Sequence, residues 1–156
     1  MPLRAVVRIQ SGDFDIAAEI AAATAGRTDI GAVVSFTGLC RDEGGVLSAL
    51  ELEHYPGMAE AEIARICAEA ASRWPLQAVR VVHRFGRIAP GENIVLVIAA
   101  STHRHAAFEA AGFIMDFLKS NAPFWKKEHD ALGRPGGWVD AKESDEQALA
   151  RWGSLP

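Results

Sequence analysis

The chain has 156 residues, 49% hydrophobic and 23% charged, which suits one folded domain over residues 1–156 and excludes a disordered chain. The formal net charge of -4 argues against a general nucleic-acid binder, which carries a basic excess. The longest apolar runs are too short to span a bilayer, and "MPLRAVVRIQSGDFD" lacks the apolar core of a leader peptide. The expectation is a soluble, cytoplasmic protein that binds neither nucleic acid nor membrane, with Cys40 and Cys67 as thiols.

In chain order, "LRAVVRIQ" is rich in β-branched residues and predicts a first strand. "GDFDIAAEIAAATA" predicts a helix capped by Ser11 or Asp13. "GAVVSFTGLC" reads as a strand ending near Gly38, followed by the polar, glycine-rich turn "RDEGG". "VLSALELEHY" alternates apolar and polar residues, as a half-buried strand does, and is expected to pair with the preceding strand as a hairpin. Pro56-Gly57 breaks that strand.

Residues 58–74 place Ile63, Ile66, Cys67, Ala70 and Trp74 at helical spacing, so Cys67 reads as a core thiol; Pro75 ends the helix. "AVRVVHRFGRI" predicts one strand over 78–88. "NIVLVIAAS" is continuously apolar and predicts a central strand buried on both faces. "RHAAFEAAGFIMDFLKS" is the longest helical segment. Pro123 suits the first position of a further helix, "GGWVDAKES" contains a short strand, and 143–152 closes the chain as a helix. The order β-α-β-β-α-β-β-α predicts an α+β fold, with helices packed on a mostly antiparallel sheet. Its first six elements match the split β-α-β-β-α-β motif.

The chemistry-bearing residues are cationic. On the helix at 104–120, Arg104, Phe108, Met115 and Lys119 share one side, while His105, Glu109 and Asp116 lie on a solvated flank. Lys119 stands at the edge of the apolar stripe, where it either snorkels to water or loses hydration and serves a site. His103 and Arg104 open the helix after Thr102, a candidate N-cap. They either strengthen an anion site at the helix N-terminus or only cap the turn and lie on the surface. Of the "KK" pair, Lys126 and Lys127 point in different directions, so one can face a site and the other solvent. Arg41 reaches from a loop, and Cys40 beside it reads as a small apolar filler. His103-x-His105 has no third ligand at motif spacing, so no metal site is expected, and no cofactor motif is present. The residues point to an anion-binding pocket for phosphate or carboxylate and identify no reaction.

Seven collinear stretches, "GAVVSFTGLCR", "LELEHYPGMAE", "RWPL", "VVHRFGRIAPGE", "STHRHAAFEA", "FIMDFLKSNAPFWKKE" and "WVDAKESD", resemble one family, the large (catalytic) subunit of molybdopterin synthase. "HYPGM" and "LKSNAPFWKKE" are its most specific parts. The resemblance implies an α/β hammerhead-like fold with an additional small sheet. It implies a sulfurtransferase that converts cyclic pyranopterin monophosphate to molybdopterin by installing a dithiolene. The sulfur arrives as the C-terminal Gly-Gly thiocarboxylate of a small ubiquitin-like carrier subunit. Two large subunits form a homodimer that binds a carrier at each end, a heterotetramer. The different-class alternative is a non-catalytic module that only captures the carrier tail.

Matched by motif, Arg41, His103, Arg104, Lys119, Lys126 and Glu128 correspond to the family's pocket. Lys119 is the expected central catalytic residue, partly desolvated. It would activate the thiocarboxylate carbonyl, stabilise the tetrahedral oxyanion or shuttle a proton. Lys126 assists electrostatically and Glu128 orients it. Lys127 is the solvent-facing member of the substrate-binding set, and the aromatic residues form the wall behind the lysines. Leu39 and Cys40 form the pocket edge, where "TGLCR" departs from the family's frequent "TGKVR" and Leu39 removes a cation.

Overall fold

The computed structural model describes residues 2–42, 44–45, 47–121, 124–130, 132, 134–139 and 143–153. Two four-stranded sheets divide the strands. The first has the order β1 (Arg4–Gln10), β4 (Ala78–Arg84), β6 (Asn93–Ser101), β2 (Ala32–Leu39). Only its β1–β4 pair is parallel. The second is antiparallel, in the order β5 (Gly86–Ile88), β3 (Leu47–His54), β7 (Phe124–Asp130), β8 (Pro135–Val139). The helices are α1 (Ile16–Thr24), α2 (Met58–Arg73), α3 (Arg104–Ser120) and α4 (Glu143–Ala150). None of the described helices is long and apolar enough to cross a membrane.

The expected central strand is β6, and both of its faces are buried. Val95, Val97 and Ala99 join α2 and α3 in one core through Ile63, Ile66, Phe113, Ile114 and Phe117. Leu96, Ile98 and Ala100 join a second core with Phe14 and Ala23, covered by α1. Each such aliphatic side chain contributes about 1.5–3 kcal/mol when removed from water. Two-sided coverage of this sheet is therefore the dominant packing term. On the α1 side, Glu19 is clamped by two guanidiniums, Arg8 and Arg80, the latter at 2.6 Å. Cys67 is buried in the first core, as expected, and burial pushes its thiol up to about 12.

Local signals explain the ends of the elements. The Asp15 carboxylate caps α1 by accepting the Ala18 N–H at 3.0 Å, so the cap is neither Ser11 nor Asp13. Asp13 instead accepts the Phe14 N–H and the Asn93 amide. Gly57, at φ 86°, opens α2 and donates its N–H to the Glu60 carboxylate at 2.7 Å.

Several expectations are corrected. β2 and β3 do not form a hairpin: β2 pairs with β6, and β3 with β5 and β7. The Cys40 N–H donates to the Glu92 carbonyl and the Gly91 N–H to the Cys40 carbonyl, so the chain leaving β2 is tied to the turn before β6. It then crosses to the other sheet, which removes the split β-α-β-β-α-β arrangement. The strand expected over 78–88 is two strands, because Gly86 at φ 89° turns the chain from one sheet into the other. Pro123, the expected start of a helix, lies outside the described residues, but 124–130 is strand β7. Asp116 is not solvated. It accepts the Trp152 indole N–H at 2.6 Å and pairs with Arg151 at 3.0 Å, which pins the end of α4 onto α3.

His83 lies on the α2/α3 side of β4 and is buried. Burial, first, pushes its imidazole down to about 4, helped by the neighbouring His54 and Lys119 and opposed by its hydrogen bond to the Arg84 carbonyl. The unfolded chain binds this proton near 6.5 and the folded chain only near 4. Between those values the unfolded state holds more protons, so stability is full above 6.5 and falls as pH drops toward 4. Urea denaturation across that window reads a loss on the order of 3 kcal/mol, flattened in His83→Phe. Gly31 provides a second test. A Cβ there runs into the Thr102 backbone carbonyl at the junction of β6 with α3. Gly31→Ala is expected to cost about 1–3 kcal/mol in denaturant titrations, since backbone must move.

Candidate active site

The last turn of α3 delivers Lys119, where a cation also complements the C-terminal end of the helix dipole. The Asn121 N–H closes the helix on the Phe117 carbonyl at 2.8 Å. Three residues later the chain enters β7 at Phe124. In register, Phe124 lies opposite His54, Lys126 opposite Leu52, and Glu128 opposite Leu50. Paired residues share a face of a sheet. Phe124, Lys126 and Glu128 therefore lie on the face of Leu50 and Leu52, which pack with Cys40 and Ile88.

The Phe124 ring stacks on the buried His83 ring, with centroids 3.9 Å apart and planes 15° apart. His54 flanks Phe124 at 6.1 Å and Phe85 at 4.6 Å. Lys119 is close enough to His83 to act on its charge. Lys126 and Glu128 likewise act on the Cys40 thiol. Burial is the main cause that raises the Cys40 thiol, with Glu92 next and Lys126 opposing. Cys40 is thus the small buried filler that was expected. Leu39, 53% exposed, and Arg41, exposed, stand on either side of it.

One neighbourhood therefore holds Lys119, Lys126, Glu128, Cys40 and, by chain adjacency, Arg41. Its lysines come from different elements: Lys119 from the end of α3, where it acts on the His83 ring, and Lys126 from β7, on the strand face that also carries Phe124. Lys127 lies on the opposite face of β7, across from Glu51, so the two lysines diverge as expected, but Lys127 is half-buried like Lys126 rather than solvent-facing. Trp125 shares that far face and meets Tyr55 edge-on at 5.1 Å, so of the two aromatics only Phe124 backs the lysines.

His103 and Arg104 are placed elsewhere. His103 is the N-cap residue of α3 but makes no side-chain cap bond. The Thr102 hydroxyl, expected to cap, donates to the Asp29 carbonyl instead. Both His103 and Arg104 are exposed. Fifteen residues of helix separate Arg104 from Lys119, about 22 Å along the axis. Helical phase puts them on one side, but within one chain they do not meet. Lys119 itself is exposed, so the chain alone does not supply the desolvation expected for it. Among the described residues no group of His, Cys, Asp and Glu is arranged to hold a metal ion.

Sequence reasoning passed over His83 and His54 as members of this neighbourhood. The signal for His83 was present: in "AVRVVH" it shares strand parity with Val79 and Val81, which face the core. Its stacking partner lies 41 positions later in the chain, and nothing local points to it.

The family model described as MoaE protein matches residues 9–121. The molybdopterin synthase catalytic subunit of Mesorhizobium japonicum is 72% identical over 152 residues, covering 97% of this chain and 96% of that protein. The solved molybdopterin biosynthesis MoaE protein of Burkholderia ambifaria superposes with a TM-score of 0.83 at 49% identity, covering 97% of this chain and 99% of the other. A Helicobacter pylori complex of subunits 1 and 2 of molybdopterin-converting factor shares the fold, with a TM-score of 0.70 at 22% identity, covering 88% of this chain and 90% of that one. High identity over nearly full length in both directions leaves one assignment: the chain belongs to the MoaE protein family.

Proposed function

We propose that this chain is the catalytic subunit of a cytoplasmic molybdopterin synthase. In this reading it moves sulfur from the C-terminal thiocarboxylate of a small ubiquitin-like carrier to cyclic pyranopterin monophosphate. The observation that carries the reading is that two lysines from different elements serve one neighbourhood: Lys119, from the end of α3, acts on the His83 ring on which Phe124 stacks, and Lys126, from β7, lies on the same strand face as Phe124. In a chain of net charge -4 this is a local concentration of cations, suited to an anionic substrate and an anionic tail. The 72% identity to a molybdopterin synthase catalytic subunit supports the same reading.

The chemistry asked of the site is acyl–sulfur cleavage. The thiocarboxylate sulfur attacks a substrate carbon and forms the C–S bond, while a C–O bond at that carbon breaks and its oxygen leaves with a proton. Water then adds to the acyl carbon, the acyl–sulfur bond breaks, and the carrier leaves as a carboxylate. The sulfur stays on the substrate, and a second carrier repeats the cycle to complete the dithiolene. The tetrahedral adduct carries an oxyanion, and an ammonium beside it stabilises that charge without a metal. Lys119 takes this role, and the same ammonium suits carbonyl activation or proton transfer. Lys126 adds field, Glu128 orients Lys126, and Arg41 closes the anionic side with Leu39 and Cys40 at its edge.

His103 and Arg104 serve the site of a second copy of the chain. About 22 Å of rigid helix keeps them from the Lys119 of their own chain. In a two-fold dimer each copy lends the same residues to the other. The phosphate of the substrate then lies at the N-terminus of one copy's α3, and the reacting carbons beside the Lys119 of its partner. The homodimer is thus a requirement of the site, and a carrier on each copy makes a heterotetramer. The Helicobacter pylori structure of the same fold is itself a complex of two different subunits.

Lys119→Ala is expected to lower single-turnover dithiolene formation by about 10²–10³-fold, with thermal stability unchanged. Full activity in that variant would sink the assignment, and carrier capture without product in the unmodified protein would indicate a binding module. A subunit-mixing assay checks the shared site. Arg104→Ala and Lys119→Ala homodimers are each expected to be inactive, and exchange between them to restore activity in mixed dimers that keep one intact site. Failure of exchanged dimers to recover would place both residues in the same site.

A further inference from the structure

We propose that Glu92 is a positioning residue for Arg41: its carboxylate closes the turn at 89–92, and that turn grips the backbone of Cys40 from both sides and so fixes where the arginine leaves β2. The proposal rests on the preceding reading of Arg41 as the cation that closes the anionic side of the site.

The links are direct hydrogen bonds. The Ala89 N–H donates to Glu92 Oε1 at 2.6 Å, and the Glu92 N–H donates back to the Ala89 carbonyl at 3.0 Å. Between them, Pro90 and Gly91, the latter at φ 89°, occupy the positions that suit them in a type II turn. The turn then holds both backbone polar groups of one residue. The Gly91 N–H donates to the Cys40 carbonyl at 2.6 Å, and the Cys40 N–H donates to the Glu92 carbonyl at 2.8 Å. The Cys40 side chain is buried with Leu50, Leu52 and Ile88, so Arg41, next in the chain, starts from a fixed peptide.

The other Glu92 oxygen faces the first sheet. Oε2 lies 3.8 Å from Nη1 of Arg84, whose buried guanidinium donates to the Asn93 carbonyl at 2.8 Å and, through Nε, to the Ser11 carbonyl at 3.1 Å. β2 also changes register with β6 at this point. Gly38 lies opposite Val95 and Leu39 opposite Asn93, which leaves Ile94 as an extra residue. A bulge of this kind bends the ladder and re-aims the side chains beside it. The turn joins β5 of the second sheet to β6 of the first, while Arg41 leaves the first sheet and Lys126 and Glu128 stand on the second. Its closure therefore sets the arginine against the residues of β7. That placement matters because a guanidinium recognises an anion by the geometry of its fork as well as by charge.

The test is single-turnover dithiolene formation by the assembled complex, titrated with thiocarboxylated carrier and with cyclic pyranopterin monophosphate. The variants are Arg41→Ala, Glu92→Ala, Glu92→Gln and the double variant Glu92→Ala/Arg41→Ala. Arg41→Ala is expected to raise the half-saturating concentration of one of the two anions. Glu92→Ala is expected to raise that of the same anion about fivefold or more, with the rate at saturation changed less than about twofold. Glu92→Gln still accepts the Ala89 N–H and recovers most of the affinity. The double variant is expected to bind no more weakly than Arg41→Ala alone, because Glu92 acts through that arginine. A carboxylate that acted only by its charge predicts the reverse, since its removal would tighten anion binding in both Glu92 variants.

Unchanged affinity in Glu92→Ala, tighter binding in both Glu92 variants, or an equal loss on the Arg41→Ala background would overturn the proposal and leave the role of Arg41 intact. Wild-type affinity for both anions in Arg41→Ala would overturn both. A readout free of activity and of variant folding is the amide spectrum of the unmodified protein. The Ala89 amide is expected to shift as the Glu92 carboxylate titrates. An Ala89 amide indifferent to that titration would end the argument.

Discussion

The burial of β6 on both faces is the constraint on which the rest of the molecule depends. A strand that is apolar on alternate residues in both directions must be covered twice, by α1 on one side and by α2 and α3 on the other. Because α3 begins three residues after β6 ends, the direction of the strand also sets the course of the helix. One end of α3 is held at the β6 junction, where Gly31 admits the Thr102 carbonyl. The other end is carried across the sheet to the second sheet. His103 and Arg104 are therefore assigned to one end of the molecule and Lys119 to the other.

The second sheet gives the Lys119 end its surroundings. Gly86 turns the chain out of β4 and lets β5 pair with β3, and β7 returns from α3 to pair with β3 on its other edge. The Phe124–His83 stack is a direct side-chain contact between the two sheets. Lys119 acts on its His83 ring, Lys126 shares the strand face of its Phe124, and a third cationic side chain, Arg41, follows the buried Cys40. Cations gathered in one neighbourhood favour the entry of an anion. The acidic surface elsewhere keeps the net charge negative, so the cations act locally.

The legible parts of the fold were those whose partners are nearby in the chain or whose pattern is strongly periodic. α2, α3 and β6 announce themselves through their spacing, and Cys67 fell on the buried stripe of its helix. Two strands, β2 and β3, were legible as strands but not as members of different sheets, since alternation names a face and never a neighbour. The segment after Pro123 was misread because proline opens helices as readily as it precedes strands. Asp116 looked solvated because its partners, Arg151 and Trp152, arrive from the far end of the chain.

The sequence by itself determined the class of the fold, the central strand, the long helix and, through resemblance, the family and the set of cationic residues. It also implied, through resemblance, that Lys126 and Lys127 part, but the strand parity that sends them to opposite faces came only with β7, where a helix was expected. Tertiary structure alone decided which of these residues meet. It put Lys119 and Lys126 into one neighbourhood, stacked Phe124 on His83, and left Trp125 on the other face. It also held His103 and Arg104 a helix length away, since a hydrogen-bonded helix cannot fold back to bring its ends together. Helical phase is a property of the chain, whereas proximity depends on how rigid elements are packed.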